Sequence, residues 1–320
     1  MRIGTLQLAP ALGETEKNIQ LANDLIKDIQ PRQFNLLVLP ELAFTGYNFP
    51  DLSAITPFLE PTTSGTTTQW AVATAKRLQC HIIAGYPEVH TDDTTGETNN
   101  YNSTVTVSPQ GEILNNYRKS FLYYTDETWA TEGFRSTATK APFFSGPLGE
   151  LGKVGQGICM DINPYRFEVP WSDYEFANSM LQSGVPLVVL SMAWLTRLEP
   201  SELAIEPDRP DMETVAYWIE RFRPFLENDS DREIIVVFAN RCGVEGNKLG
   251  SVEVGNGNMV EEGERVCYAG SSCVMSFGQG QVRMFEKFGH EVALLGKGEE
   301  GVLVIDTDQP ARFVLQQKMV

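Results

Sequence analysis

The chain offers five cysteines as its strongest nucleophiles, at positions 80, 159, 242, 267 and 273. Cys159 stands apart by its surroundings, VGQGICMDINPY. A strand-like run from Val154 to Cys159 ends at the cysteine, with the small residues Gly155 and Gly157 just before it. The chain then turns through Asp161, Asn163 and Pro164. A nucleophile at such a strand-to-loop turn is exposed to substrate, and the N–H of the next residue, Met160, can face a developing oxyanion. A free cysteine is more commonly an inert core residue. The other four fit that description better: Cys80 closes a helical pattern, Cys242 follows a strand pattern, Cys273 lies within one, and Cys267 sits in a Gly- and Glu-rich loop.

A thiol nucleophile needs a base. The chain has three histidines, His81, His90 and His290, and none stands in a motif-like setting. Carboxylates and lysines are the other candidates. Leu36–Leu37–Val38–Leu39–Pro40 is an apolar run that delivers Glu41 just past a proline. A carboxyl with such an approach can have a raised pKa suited to shuttling protons. Lys119 follows a probable strand and lies among aromatics in NYRKSFLYY; the ordinary alternative is a surface lysine snorkelling over apolar neighbours.

The elements that must position these groups follow from apolar patterning. Strands are predicted at Ile3–Leu8, Leu36–Leu39, His81–Tyr86, Ser103–Val107, Ile113–Tyr117, Val154–Cys159, Leu187–Met192, Ile234–Ala239, Ser272–Met275 and Val302–Ile305; their Val, Ile and Leu content suits strands covered by helices. Helices are predicted over Thr15–Ile29, Thr66–Leu78, Asp173–Leu181 and Asp211–Leu226, the last perturbed near its end by Pro224. Alternation of the two indicates an α/β fold, and Ser108–Pro109–Gln110–Gly111 between two strands predicts a hairpin, so parallel and antiparallel pairing should mix. Pro61–Gly65, Thr91–Asn100, Leu198–Pro210 and the long acidic Gly243–Gly263 read as polar loops. No linker divides the chain, so a single domain over 1–320 is expected.

Composition narrows the function classes. The formal net charge is −17 over 320 residues. A surface this acidic repels phosphate backbones and anionic lipid, so neither nucleic acid nor membrane is an expected partner. No apolar run approaches the ~18 residues of a membrane helix. The odd cysteine count gives no disulfide framework and no zinc spacing. MRIGTLQLAP lacks the basic and apolar regions of a secretory signal, and a reduced cytoplasmic setting is expected.

Spacing alone does not bring Glu41, Lys119 and Cys159 together. Their flanking text does more: PELAFTGY, YRKSFLYYTDE and GICMDINPYRFE resemble, in order and approximate separation, the three signature segments of the nitrilase-like carbon–nitrogen hydrolases. MRIGTLQLAP and AGSSCVMSFGQGQV are also similar to that superfamily. Within it, LVLPELAFTGYNF, NYRKSFLYYTDETWA, GICMDINPYRFE, LSMAW and EIIVVFANRCG are most similar to the fungal protein N-terminal amidases. The resemblance implies a four-layer α-β-β-α sandwich and a Glu41–Lys119–Cys159 triad working without metal or cofactor. It implies hydrolysis of the side-chain amide of an N-terminal Asn or Gln, releasing ammonia and feeding an N-terminal degradation pathway, by a monomer or homodimer. Met160 follows the nucleophile where nitrilases themselves carry Trp, which favours amides over nitriles. Glu127, eight residues after Lys119, resembles a second glutamate of many relatives that orients the lysine or the water. Arg166–Phe167 stands a few residues later than the superfamily's usual Arg–Phe, which would reshape the pocket mouth. For the cationic α-amine of such a substrate, Asp126, Asp161 and Asn163 are candidate acceptors; Asp161 serves equally well as a tie across the turn. Trp129 and Trp194 are candidate apolar walls. A small-metabolite amidase or carbamoylase of the same superfamily is the alternative enzyme, and a non-catalytic scaffold the alternative of another class.

Overall fold

The computed structural model describes residues 1–136, 141–228, 232–246, 265–287 and 291–315; His290 and most of the 243–263 loop lie outside them. The first half holds β1 (Arg2–Gln7), α1 (Thr15–Leu25), β2 (Leu36–Val38), α2 (Leu52–Ile55), β3 (Glu60–Pro61), α3 (Thr66–Leu78), β4 (His81–Thr91), β5 (Thr98–Val107) and β6 (Ile113–Arg118). Then come β7 (Phe144–Pro147), β8 (Lys153–Ile158), α4 (Glu175–Ser183), β9 (Leu187–Met192), α5 (Pro200–Leu203), α6 (Met212–Arg221), α7 (Arg223–Glu227) and β10 (Ile234–Asn240). The remainder is β11 (Val244–Gly246), β12 (Arg265–Cys267), β13 (Cys273–Gly278), β14 (Gln281–Met284), β15 (Glu286–Lys287), β16 (Glu291–Val292), β17 (Gly301–Asp306) and β18 (Phe313–Leu315).

Two mixed sheets result. The first runs β17-β1-β2-β4-β5-β6, with β3 beside β4; the second runs β18-β14-β13-β10-β9-β8-β7. Parallel pairs occupy the middle of each: β1, β2 and β4 in the first, β8, β9 and β10 in the second. These strands are buried on both faces, which explains their continuous Val, Ile and Leu runs. Three apolar clusters fill the three interfaces between layers. Ala22, Ile26, Trp70, Ala75 and Leu78 of the first helical layer meet Leu37, Leu39 and Ile82. Ile3, Val38 and Ile83 meet Val154, Val189 and Val237 between the sheets. Phe176, Met180, Trp218 and Phe222 cover Leu190, Phe238 and Met275 of the second sheet. The chain is therefore the four-layer α-β-β-α sandwich. No helix among the described residues is long and apolar enough to cross a membrane.

Several boundaries differ from the sequence reading for identifiable reasons. The helix expected over Asp211–Leu226 splits at Phe222, because Pro224 has no N–H to continue the ladder and instead sits in the first turn of α7. The first helix stops at Leu25, although Ile26 still packs fully buried. The polar stretch Thr91–Asn100 is a loop only over 92–97, because its ends join the ladder: His90 pairs with Asn99 and Thr91 with Thr98. Its turn is closed by Asp92, whose carboxylate accepts the N–H groups of Thr94 and Thr95. Threonine's β-branch suits this exposed ladder, so polarity here marked solvent rather than irregularity.

Candidate active site

Packing two sheets face to face sets the carboxyl ends of their central strands on a common rim, where open α/β sheets hold ligands. Glu41 follows β2, Lys119 immediately follows β6, and Cys159 immediately follows β8. The hydroxyl of Ser191 in β9 donates to the Leu39 carbonyl across the sheets at 2.8 Å. Close approach of the Glu41 segment needs Gly85 on β4: a Cβ there would stand 2.6 Å from the Pro40 carbonyl oxygen and 2.7 Å from Glu41 Cα.

At the centre lies a buried charge cluster. The Lys119 ammonium donates to Glu41 Oε1 and to Asp126 Oδ2, each at 2.6 Å, and all three side chains are fully buried. Asn102 on β5 ties the two carboxylates together, donating to Glu41 Oε1 at 2.6 Å and to Asp126 Oδ1 at 3.0 Å. The other Glu41 oxygen accepts the N–H of Ala193, the residue after β9, at 2.8 Å. Burial pulls the Lys119 pKa down, but the charges of Asp126 and Glu41 outweigh it and hold the lysine protonated above its ordinary range. Burial, reinforced by the Asp126 charge and offset by Lys119, raises Glu41 above the usual carboxylate range. A carboxyl so placed can take a proton and return it.

Cys159 sits at φ 42°, a left-handed conformation unusual for a residue with a side chain. It opens a 3₁₀ turn, Cys159–Ile162. Gly157 lets α4 approach β8, since a Cβ there would meet Phe176 at 2.7 Å and Leu190 at 2.9 Å. Burial and the Glu41 charge push the thiol well above its ordinary pKa, while Lys119 and the Ala193 N–H pull the other way.

Asp161 joins the turn to the lysine segment. Its Oδ1 accepts the N–H groups of Ser120 (3.0 Å) and Phe121 (2.8 Å). Its Oδ2 accepts the Ile158 N–H (2.7 Å) and the Tyr117 hydroxyl (2.8 Å). With four donors and full burial, it fixes the post-β8 turn against the post-β6 turn and has no reach to a substrate amine.

A cavity of about 700 Å³ opens over Cys159. Tyr47, Tyr123, Met160, Asn163, Trp194 and Tyr217 are among its walls. Of the candidate amine acceptors, Asn163 therefore faces the cavity, its Oδ1 accepting from the Tyr217 hydroxyl at 2.6 Å. Asp126 does not line it; both its oxygens are taken by Lys119 and Asn102. Trp194 is a wall, whereas Trp129 packs in an apolar cluster with Tyr47, Phe49 and Tyr268. Glu127 is corrected: it is exposed and lies 4.0 Å from Arg166, because the short 3₁₀ turn Asp126–Thr128 directs Asp126, not its neighbour, inward to Lys119. Asn102, Ala193 and Tyr47 went unnoticed in the sequence; Tyr47 stood in the PELAFTGY segment, but an Asn within a strand carries no signal of its own. His81 contacts the Asn35 carbonyl and His90 the Thr62 hydroxyl, away from Cys159. Among the described residues no group of three or more His, Cys, Asp or Glu side chains could hold a metal ion.

Residues 2–164 match the family described as carbon-nitrogen hydrolase. Over 319 residues the chain is 34% identical to a protein N-terminal amidase of Schizosaccharomyces pombe, spanning 95% of this chain and 98% of that one. A protein N-terminal amidase of Saccharomyces cerevisiae is 27% identical over 296 residues, 71% of this chain and 64% of the relative. In three dimensions the chain is similar to a crystal structure of an N-terminal amidase with a Gln-Gly peptide, with TM-score 0.73, 22% identity, and coverage of 95% and 96%.

Proposed function

This chain belongs to the carbon–nitrogen hydrolase family, and we propose that it is a protein N-terminal amidase that hydrolyses the side-chain amide of an N-terminal Asn or Gln. The observation that carries the reading is the Cys159 thiol at a cavity of about 700 Å³, backed by the buried Glu41–Lys119–Asp126 cluster. The Schizosaccharomyces pombe relative, similar over nearly the whole of both chains, supports the choice of substrate.

In this mechanism Glu41 accepts the thiol proton as sulfur attacks the carboxamide carbon. The oxyanion is held by the Lys119 ammonium and the Met160 N–H, each such donor contributing roughly 3 kcal/mol. The intermediate collapses as Glu41 returns the proton to the departing nitrogen, releasing ammonia and leaving a thioester. Water then attacks the thioester carbonyl, giving a proton to Glu41. Expulsion of the sulfur, which regains that proton, frees an N-terminal Asp or Glu that N-terminal degradation machinery can read. Asp126 and Asn102 orient Lys119 and Glu41. Asn163, whose carbonyl oxygen has a second lone pair to offer, is the proposed acceptor for the substrate α-ammonium. The proposed setting is the cytoplasm, where a reducing milieu keeps a nucleophilic thiol available.

Incubation with Asn- and Gln-initiated peptides and with free glutamine tests the substrate class. Release of ammonia from the peptides, with the mass gain of NH2 becoming OH, is expected to exceed release from free glutamine. A preference for the free amino acid would reject the proposal in favour of a small-metabolite amidase.

A further inference from the structure

We infer that Glu88, a buried carboxylate outside the catalytic cavity, is a positioning residue for Lys119: it clamps Asn116 and Arg118 and so fixes β6 in the register that delivers the Lys119 ammonium to Glu41. The inference rests on the N-terminal amidase reading, in which Lys119 holds the oxyanion, and extends it to what holds Lys119.

Lys119 is the first residue beyond β6, and β6 stands at the edge of the first sheet, beside β5. The ladder between them is irregular at its start, where the pairing shifts between Thr106 and Val107. An edge strand with such a shift needs a further restraint, because a slip of one residue turns every side chain to the opposite face. Alternation divides the end of β6 into two sets. Tyr117 and Lys119 face the rim, donating to Asp161 and Glu41. Asn116 and Arg118 point the other way, and both donate to Glu88.

Glu88 lies on β4 and is fully buried. Its carboxylate gathers donors from three other segments. Oε1 accepts Arg118 Nη2 at 2.5 Å and the Thr62 hydroxyl at 2.7 Å. Oε2 accepts the Ser103 hydroxyl of β5 at 2.6 Å and the Asn116 amide at 2.9 Å. Arg118 Nε stands 3.1 Å from both oxygens, which completes a two-pronged pair of fixed geometry. The same guanidinium lies 3.9 Å from the ring centroid of Tyr101 on β5. Burial pushes the Glu88 pKa up, but Arg118 and the Ser103 and Thr62 hydroxyls outweigh it and hold the carboxyl below its usual range. The clamp therefore stays charged while Glu41, whose pKa is raised, titrates. None of these residues lines the cavity over Cys159, so their effect on the reaction passes through β6.

The experiment measures kcat, KM and the pH dependence of kcat/KM on an Asn-initiated peptide, with thermal unfolding in parallel, for the wild type, Glu88→Gln and Arg118→Lys. The first variant removes the charge of the clamp; the second keeps the charge and loses the fork. Each is expected to lower kcat about tenfold or more while KM stays within about twofold. Each is also expected to move the acid limb to higher pH, because a displaced Lys119 no longer favours the Glu41 carboxylate. Lys119, Asp126, Cys159, Tyr47 and Tyr268 are the titratable groups that face Glu41, and neither substitution changes them. The sign is diagnostic: acting through space alone, loss of the Glu88 charge would stabilise the Glu41 carboxylate and move the limb to lower pH. In a folded variant, a limb that stays in place or moves down, or a kcat equal to that of the wild type, would overturn the inference and leave the proposed function standing. Breaking a buried pair can unfold the protein; if Glu88→Gln does not fold, Arg118→Lys decides by the same criteria. Hydrolysis of no Asn-initiated peptide by the wild type would overturn both.

Discussion

Lys119 is held between two carboxylates at equal distances, and the consequence for Glu41 is a titration that can be moved. Glu41 must be ionised to accept the thiol proton, so kcat/KM falls as pH drops through its pKa, which burial raises. The Asp126 charge contributes to that rise. Asp126→Asn removes a negative neighbour, stabilises the Glu41 carboxylate and shifts the acid limb of the kcat/KM profile to lower pH. Turnover should also fall roughly 10–100-fold, because Lys119 loses half of its positioning. An acid limb that stays in place or moves upward would show that Asp126 does not bias Glu41. Glu127→Gln is the paired control. Exposed and 4.0 Å from Arg166, Glu127 should change the profile little, within about twofold in rate, as for ordinary surface substitutions.

At the scale of elements, each reacting group sits just beyond a strand end, and glycines let the partner elements close in. Gly85→Ala would drive a Cβ to 2.6 Å from the Pro40 carbonyl oxygen and 2.7 Å from the Leu42 nitrogen, both backbone atoms that cannot swing aside. We expect a loss of about 1–3 kcal/mol in denaturant unfolding, as for other overpacked cores, with activity reduced because the displaced backbone carries Glu41. Wild-type stability in this variant would mean that the Glu41 segment moves freely against β4. The strands that carry the site were largely legible in the sequence. Leu187–Met192 agrees with β9 end to end, and Val154–Cys159 is offset from β8 by one residue at each end, because runs buried on both faces announce themselves by composition. What brings Glu41, Lys119 and Cys159 to one rim was not legible, because the facing of two sheets is a long-range property that local periodicity does not encode. The resemblance to signature segments supplied the convergence. The choice between Asp126 and Glu127 lay beyond both, since adjacent residues of a 3₁₀ turn differ in direction rather than in chemistry.

Across the whole molecule, the catalytic rim is closed by contacts between segments far apart in sequence. Glu245, on β11 after the second sheet's β10, accepts the N–H groups of Tyr47 (2.9 Å) and Asn48 (2.6 Å) from the segment that follows Glu41. It also pairs with buried Arg241 at 2.6 Å, whose guanidinium lies 4.5 Å from the Tyr268 ring centroid. Glu245→Ala would leave the Arg241 charge buried without its carboxylate and should cost about 3–5 kcal/mol in global unfolding. Tyr47 would loosen over Cys159 at the same time. A variant as stable as the wild type would show that this pair does not hold the two halves at the rim. The central claim, that Cys159 at the end of β8 is the nucleophile of N-terminal amide hydrolysis, is tested most directly by one comparison. An Asn-initiated peptide is incubated with wild-type protein and with Cys159→Ala, and conversion to the Asp-initiated peptide is followed by mass spectrometry. The account predicts conversion by the wild type and a loss of at least about 10⁴-fold in the variant, with unchanged thermal unfolding; conversion by Cys159→Ala at the wild-type rate would contradict it.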